Sequence, residues 1–212
     1  MEIVNWPIVT GCSRITEGCN SCPSYWEYKE KGLDYSPRGN IGELYIPFHN
    51  KTPTTYMVAL GSDLFQPDIP LELYDAVFEE MNKADWHTFQ IVTKRTNMVL
   101  TLKDRFKWTS NIWLGAAVES AKYVYRIGDI RQVSAAFRFV SMTSLMGPIH
   151  NLNLDGIDYV GVIPETWGYK RPTKQEWVDL IKRQCEEQGV AFSQESRIYE
   201  NGEAVKWQED SR

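Results

Sequence analysis

Between residues 55 and 196 the chain repeats one pattern, a short apolar run that closes on polar residues. TYMVALGSD (55–63) ends on Gly-Ser-Asp, HTFQIVTKR (87–95) on Thr-Lys-Arg and NIWLGAAVES (111–120) on Glu-Ser. FRFVSMTS (137–144), DYVGVIPET (158–166) and GVAFSQES (189–196) follow the same rule. The runs are rich in β-branched and aromatic residues and nearly continuous in hydrophobicity. Strands covered on both faces of a parallel sheet read this way.

Helical patterns fill the gaps. After Pro70, the spacing of Leu71, Tyr74, Val77, Phe78 and Met81 predicts a helix with the proline in its first turn. Thr173 opens a capping box closed by Glu176, and Trp177, Leu180, Ile181 and Cys185 share one face of a helix that Gly189 ends. Strand–helix alternation means βα units on a parallel sheet. The expected fold is α/β, a partial (βα)6-type barrel with an amino-terminal iron–sulfur loop if the thiols discussed below hold a cluster. One domain spans 1–212, with 1–54 as loop and cover, 55–196 as the βα units and 197–212 as a tail. Residues 30–54 read as a long loop with a short hairpin covering one end of the sheet. The tail reads as a hairpin about Asn201-Gly202.

In such folds chemistry gathers at the carboxyl ends of the strands. This chain places Ser62, Asp63, Lys94, Arg95, Glu119, Ser120, Ser141, Thr143, Glu165, Gln194 and Glu195 there. Each is a common cap or turn residue by itself; recurrence at six strand ends is what points to a site.

With 212 residues, 42% hydrophobic and 24% charged, the chain has the composition of a soluble globular protein. No apolar run reaches the length of a membrane span, and the start, with Glu2 and no basic region, is unlike a signal peptide. A cytoplasmic location with reduced thiols is expected. The net charge of −5 opposes nonspecific coating of nucleic acid. The segment 93–108 gathers Lys94, Arg95, Lys103, Arg105 and Lys107 and reads as a solvated helix face, or as a strip that meets phosphate.

Cys12, Cys19 and Cys22 form C-x6-C-x2-C, three of the chain's four cysteines. Disulfides would leave one thiol over. Zinc wants four ligands, and His49 is one source of the fourth. An iron–sulfur cluster is bound by thiolates, and three of them around four irons leave one iron open to a small chelator. Gly11 and Gly18 let the backbone wrap closely around such a group.

The cysteine triad ahead of a partial βα barrel resembles the radical S-adenosylmethionine superfamily, whose usual spacing is C-x3-C-x2-C. VTGCSRITEGCNSC, LGSDLFQPDIP, HTFQIVTKRT, IWLGAAVE, FRFVSMTSLMGPI and DYVGVIPET, in this order, resemble a small phage-associated branch of it, distantly similar to spore photoproduct lyase. The triad, SDLF, TKR and S-x-x-x-L-x-G-P-I are the most specific parts. Val162-Ile163-Pro164-Glu165 departs from the branch, which has a glycine pair before this glutamate.

The resemblance implies a [4Fe-4S] cluster on Cys12, Cys19 and Cys22. It implies bound S-adenosylmethionine, cleaved by one electron from an external donor to a radical that takes hydrogen from a substrate. By position, Gly61, Ser62 and Asp63 receive the cofactor's amino group, Lys94 its carboxylate, and Glu119 and Ser120 its ribose. Ser141 lies on the cofactor's side of the pocket or the substrate's, with Thr143, Glu165 and Arg95 on the substrate side. Tyr25 and Trp26 pack over the cluster or the adenine, or simply in the core. The implied substrate is a thymine base or modified nucleotide in phage DNA, with isomerisation of a substituent as one outcome; a free small molecule or a peptide is the alternative substrate. The contrasting expectation is a noncatalytic nucleic-acid or partner-binding protein whose zinc or iron–sulfur centre only stiffens the loop.

Overall fold

The computed structural model describes residues 3–165, 171–194, 197–200 and 203–206. In chain order these form β1 (Ile3–Trp6), β2 (Val9–Thr10), a 3-10 turn (Glu17–Ser21), α1 (Pro23–Glu30), β3 (Arg38–Gly39), α2 (Ile46–His49), β4 (Thr55–Val58) and α3 (Leu71–Lys83). Next come β5 (Thr88–Thr93), α4 (Thr96–Leu102), β6 (Ile112–Ala117), α5 (Tyr125–Arg131), β7 (Phe137–Thr143) and β8 (Tyr159–Ile163). The last elements are α6 (Gln175–Glu187), β9 (Ala191–Gln194), β10 (Arg197–Glu200) and β11 (Glu203–Lys206).

Seven strands, β1-β4-β5-β6-β7-β8-β9, pair in parallel as a curled half-barrel. All six strands expected from the sequence are there, and β1 adds a seventh at the edge. An edge strand need not be apolar throughout, and in IVNW only Trp6 is fully buried.

The two faces of the sheet differ. Tyr56, Val58, Phe89, Ile91, Ile112, Leu114, Val140, Met142, Val160 and Val162 bury themselves on one face. On the other, register aligns Gln90, Trp113 and Phe137 near the amino ends of the strands. One rung further up come Gly115, Phe139, Tyr159 and Ala191; above them stand Ala117, Ser141, Gly161 and Ser193. Trp113 stacks on Phe137 with ring centroids 4.1 Å apart. Gly115 is required beneath the next ring, because a Cβ there would lie 2.5 Å from Phe139. Aromatic bulk therefore gathers low on this face, and small side chains with two serine hydroxyls line it toward the carboxyl ends.

The helices correct several expectations. On α3, Leu73, Tyr74, Val77, Phe78 and Met81 are buried, whereas Leu71 is 42% exposed. On α6, Val178, Ile181, Gln184 and Cys185 are buried, with Trp177 and Leu180 only half-buried. Its capping box does not form: the Thr173 hydroxyl donates instead to the Leu145 carbonyl at 3.1 Å, and the helix starts after Lys174. Gly189, at φ +69°, ends that helix as expected. Residues 30–54 hold no hairpin of their own; their strand β3 pairs antiparallel with β2. The tail strands β10 and β11 pair antiparallel, while the Asn201-Gly202 turn, Thr166, Glu195 and Ser196 lie outside the described residues.

The basic segment is not one solvated face. Helix α4 itself contains no cation; Lys94 and Arg95 precede it and turn inward, and Arg105 pairs with Asp75 at the surface. Among the described residues no helix is long and apolar enough to cross a membrane.

Candidate functional site

The cysteine loop joins β2 to α1. Its first bend needs Gly11, whose φ is +69° and whose Cβ would lie 2.1 Å from the Ser36 carbonyl oxygen. The Cys12 amide donates to the Tyr35 carbonyl at 2.9 Å. Cys19 lies in the 3-10 turn, and Cys22 immediately precedes Pro23 at the start of α1. All are free thiols.

Each sulfur has its own neighbours. Cys12 Sγ accepts from Gln66 Nε2 at 2.9 Å and faces Arg95 Nη1 at 3.9 Å. Burial pushes the Cys12 thiol up, against the pull of Arg95 and Gln66. Cys19 Sγ lies 3.3 Å from Thr16 Oγ1 and 3.5 Å from Lys94 Nζ. Burial acts upward there too, yet the Lys94 charge, the Thr16 hydroxyl and nearby amides bring Cys19 below the usual thiol range. Cys22 Sγ lies 3.7 Å from the Tyr35 hydroxyl, which donates to the Gly61 carbonyl at 2.7 Å. Burial, followed by the charges of Cys22, Cys12 and Cys19, pushes Tyr35 far above the ordinary phenol range.

Beneath the loop lie two buried carboxylates. Asp63 accepts from the amides of Phe65 and Lys94 at 3.0 Å, from Thr93 Oγ1 at 2.8 Å and from Arg95 Nη1 at 3.0 Å. Arg95 carries on to the Ser13 carbonyl (2.6 Å) and hydroxyl (2.7 Å). Glu119 accepts from Thr16 Oγ1 at 2.5 Å, from Lys94 Nζ, and from Arg126 Nη1 at 2.9 Å. Gly18 passes so near that a Cβ would lie 2.6 Å from Glu119 Oε1. Burial works to lower Lys94, but Glu119 and Cys19 raise it above its ordinary value.

The structure therefore gathers Cys12, Cys19, Cys22, Gly61, Asp63, Lys94, Arg95 and Glu119 into one network. Asp63 and Arg95 are both buried and pair with each other, which holds the Arg95 guanidinium toward Ser13 and Cys12. The Ser62 hydroxyl donates to the Gly11 carbonyl, tying the β4 end to the loop. Ser120 opens the turn after β6, its carbonyl accepting from the Tyr123 amide at 3.0 Å. Ser141 and Thr143 hydroxyls pair at 2.9 Å on the open face of β7, apart from that network. Buried Glu165 grips Arg171, whose Nη1 lies 3.4 Å from the Glu17 carbonyl. Tyr25 and Trp26 are not core residues, since α1 buries none; Tyr25 sets its edge against Trp26 and Tyr35.

Gln66, Ser13, Thr16, Tyr35, Arg126 and Arg171 were not singled out from the sequence. Gln66 had a signal, three residues past Asp63 in the same strand-end loop. Arg126 had one too, an arginine inside the apolar stretch YVYRIGDI.

Among the described residues no group of three or more His, Cys, Asp or Glu side chains is arranged to hold a metal ion. His49 is no zinc partner for the cysteines. It follows Phe48, which packs on Trp86 just before β5, at the amino end of the strands. The donor set suits a cluster better than one ion: three soft thiols with no fourth ligand among the described residues, N–H donors on Cys12 and Cys19, and a buried Ser21 hydroxyl with no hydrogen-bond partner between Cys19 and Cys22.

Among solved structures, the chain is similar to a tyrosine-to-phenylalanine mutant of spore photoproduct lyase. Identity is 16%, the match covers 97% of this chain and 69% of that one, and the TM-score is 0.52. That likeness is one of fold. No curated protein matches. The family model described as "Protein of unknown function (DUF5131)" matches residues 3–202, nearly the whole of this parallel half-barrel with its cysteine loop, and the chain belongs to that family.

Proposed function

We propose that the protein is a radical S-adenosylmethionine enzyme. The observation that carries this reading is one loop bearing three free thiols, with Gln66 Nε2 on Cys12 and Lys94 Nζ on Cys19, at the carboxyl end of a parallel half-barrel. Cys12, Cys19 and Cys22 would hold a [4Fe-4S] cluster. With S-adenosylmethionine, such a cluster supplies one-electron chemistry that yields a carbon radical able to take hydrogen from a substrate.

The chain's own side chains have separate tasks. Gln66 donates to Cys12 Sγ, and Lys94 balances charge beside Cys19. Lys94, 21% exposed while paired with Glu119, is the cation within reach of a ligand carboxylate. The Gly61–Ser62 turn would receive an amino group, and Glu119 and Ser120, which follow β6, would hold the ribose side. Ser141 and Thr143 would meet the substrate, and Glu165 would act there through the Arg171 it holds. The substrate itself is a thymine base or modified nucleotide, with phage DNA hypermodification as its setting, isomerisation as its outcome and an outside one-electron donor as partner.

The test is anaerobic incubation of reconstituted protein with dithionite and S-adenosylmethionine, followed by mass spectrometry. The reading expects 5'-deoxyadenosine from wild type, none from the Cys12→Ala variant, and a rearranged product only when a suitable modified thymidine is added. A fully loaded protein that cleaves no S-adenosylmethionine refutes the reading.

A further inference from the structure

Gln66 is fully buried. Its amide ends a chain of hydrogen bonds whose direction is fixed by residue chemistry. Asp63 anchors the Arg95 guanidinium at 3.0 Å, and Arg95 has only donors. It donates to Ser13 Oγ at 2.7 Å, so the Ser13 hydroxyl is free to donate onward, at 2.9 Å, to Gln66 Oε1. The Ser13 amide points at the same oxygen from 3.4 Å, and an N–H can only donate. The amide oxygen is thereby assigned to Ser13, and Nε2 must face Cys12 Sγ, 2.9 Å away. The sulfur is the acceptor.

The other two sulfurs are treated differently. Cys19 faces a flexible lysine and a threonine hydroxyl, and Cys22 has the distant Tyr35 hydroxyl. Only Cys12, among the described residues, meets a neutral amide donor whose orientation is locked from behind.

We propose that Gln66 is a positioning residue for Cys12: it holds the sulfur as a hydrogen-bond acceptor and so raises the reduction potential of the iron–sulfur group bound there. This rests on the functional reading above. Reduction adds negative charge that spreads onto the ligating sulfurs, and a donor aimed at sulfur favours the reduced form. The part of a charge-assisted hydrogen bond that strengthens on reduction is taken as about a tenfold preference for the reduced form. For a one-electron couple that is about 59 mV.

The experiment reconstitutes wild type, Gln66→Met and Ser13→Ala anaerobically, measures iron and sulfide per chain, and titrates the cluster with dithionite under electron paramagnetic resonance. Gln66→Met keeps length and neutrality but removes the donor. It should hold wild-type iron and sulfide with a potential lower by about 59 mV. Ser13→Ala removes the lock but leaves the amide, and should shift the potential the same way by less; it decides the matter if Gln66→Met does not fold. Unmoved potentials in loaded variants overturn this proposal and leave the functional reading standing. A wild type that assembles no cluster overturns both.

Discussion

Glu119 gives the sharpest test of how the loop is held down. Its side chain is fully buried, and its oxygens accept from Thr16, Lys94 and Arg126. Truncating Glu119→Ala leaves the Arg126 side chain, 2% exposed, without its carboxylate; its remaining acceptor is the Ala117 carbonyl at 2.6 Å. Breaking a buried pair by removing one partner costs roughly 3–5 kcal/mol. Lys94 keeps Thr16 Oγ1 at 3.1 Å and Cys19 Sγ at 3.5 Å beside its Nζ, so its lost pairing adds less than that of Arg126. For a chain of this size, 1 kcal/mol moves the melting temperature by roughly 2–4 °C, so a loss of about 6–20 °C is expected. The assay is thermal unfolding followed by circular dichroism, with both proteins handled anaerobically. Glu119→Gln combined with Arg126→Met should recover much of the loss, since neutral groups of similar volume replace a buried pair at little cost. A Glu119→Ala loss below about 2 °C, or a double variant worse than the single one, would refute the account of this network.

Two further outcomes follow from the loop's close contacts. Gly18→Ala would place a Cβ 2.6 Å from Glu119 Oε1, and should destabilise by about 1–3 kcal/mol in urea unfolding; an unchanged midpoint contradicts the packing. Glu17 is held down to about 2, first by the Tyr123 hydroxyl and then by Lys122. A depressed carboxylate stabilises the fold above its unfolded value, near 4.3, and that contribution is lost as pH falls from there toward about 2. Tyr123→Phe removes the largest cause, so a carboxyl carbon titration by NMR should show Glu17 moving up toward the ordinary range; an unmoved titration refutes the assignment.

The strands were legible because a parallel sheet imposes one demand on every strand, and the six apolar runs answer it. Strand β1 was harder to see, for an edge strand escapes half of that demand. Helix faces were read slightly askew, Leu71 outside and Gln184 inside. Gln184 is buried because its amide serves the Ile149 carbonyl at 2.9 Å and the Leu152 amide at 2.8 Å, contacts that no local periodicity encodes. The same limit governed the site. Strand-end position found Asp63, Lys94, Arg95 and Glu119 but could not say that they pair with one another. The Lys94–Glu119 pair spans 25 residues and the Asp63–Arg95 pair 32, while Thr16 reaches Glu119 across 103. Arg95, held by Asp63, reaches Ser13 behind Gln66, and Lys94, held by Glu119, reaches Cys19.

The most direct test is the metal itself. Protein purified without oxygen should be brown, carry roughly four irons and four sulfides per chain, and lose both when Cys12, Cys19 and Cys22 are replaced by alanine. Colourless protein holding one zinc per chain, or iron retained by the triple variant, would contradict the assignment.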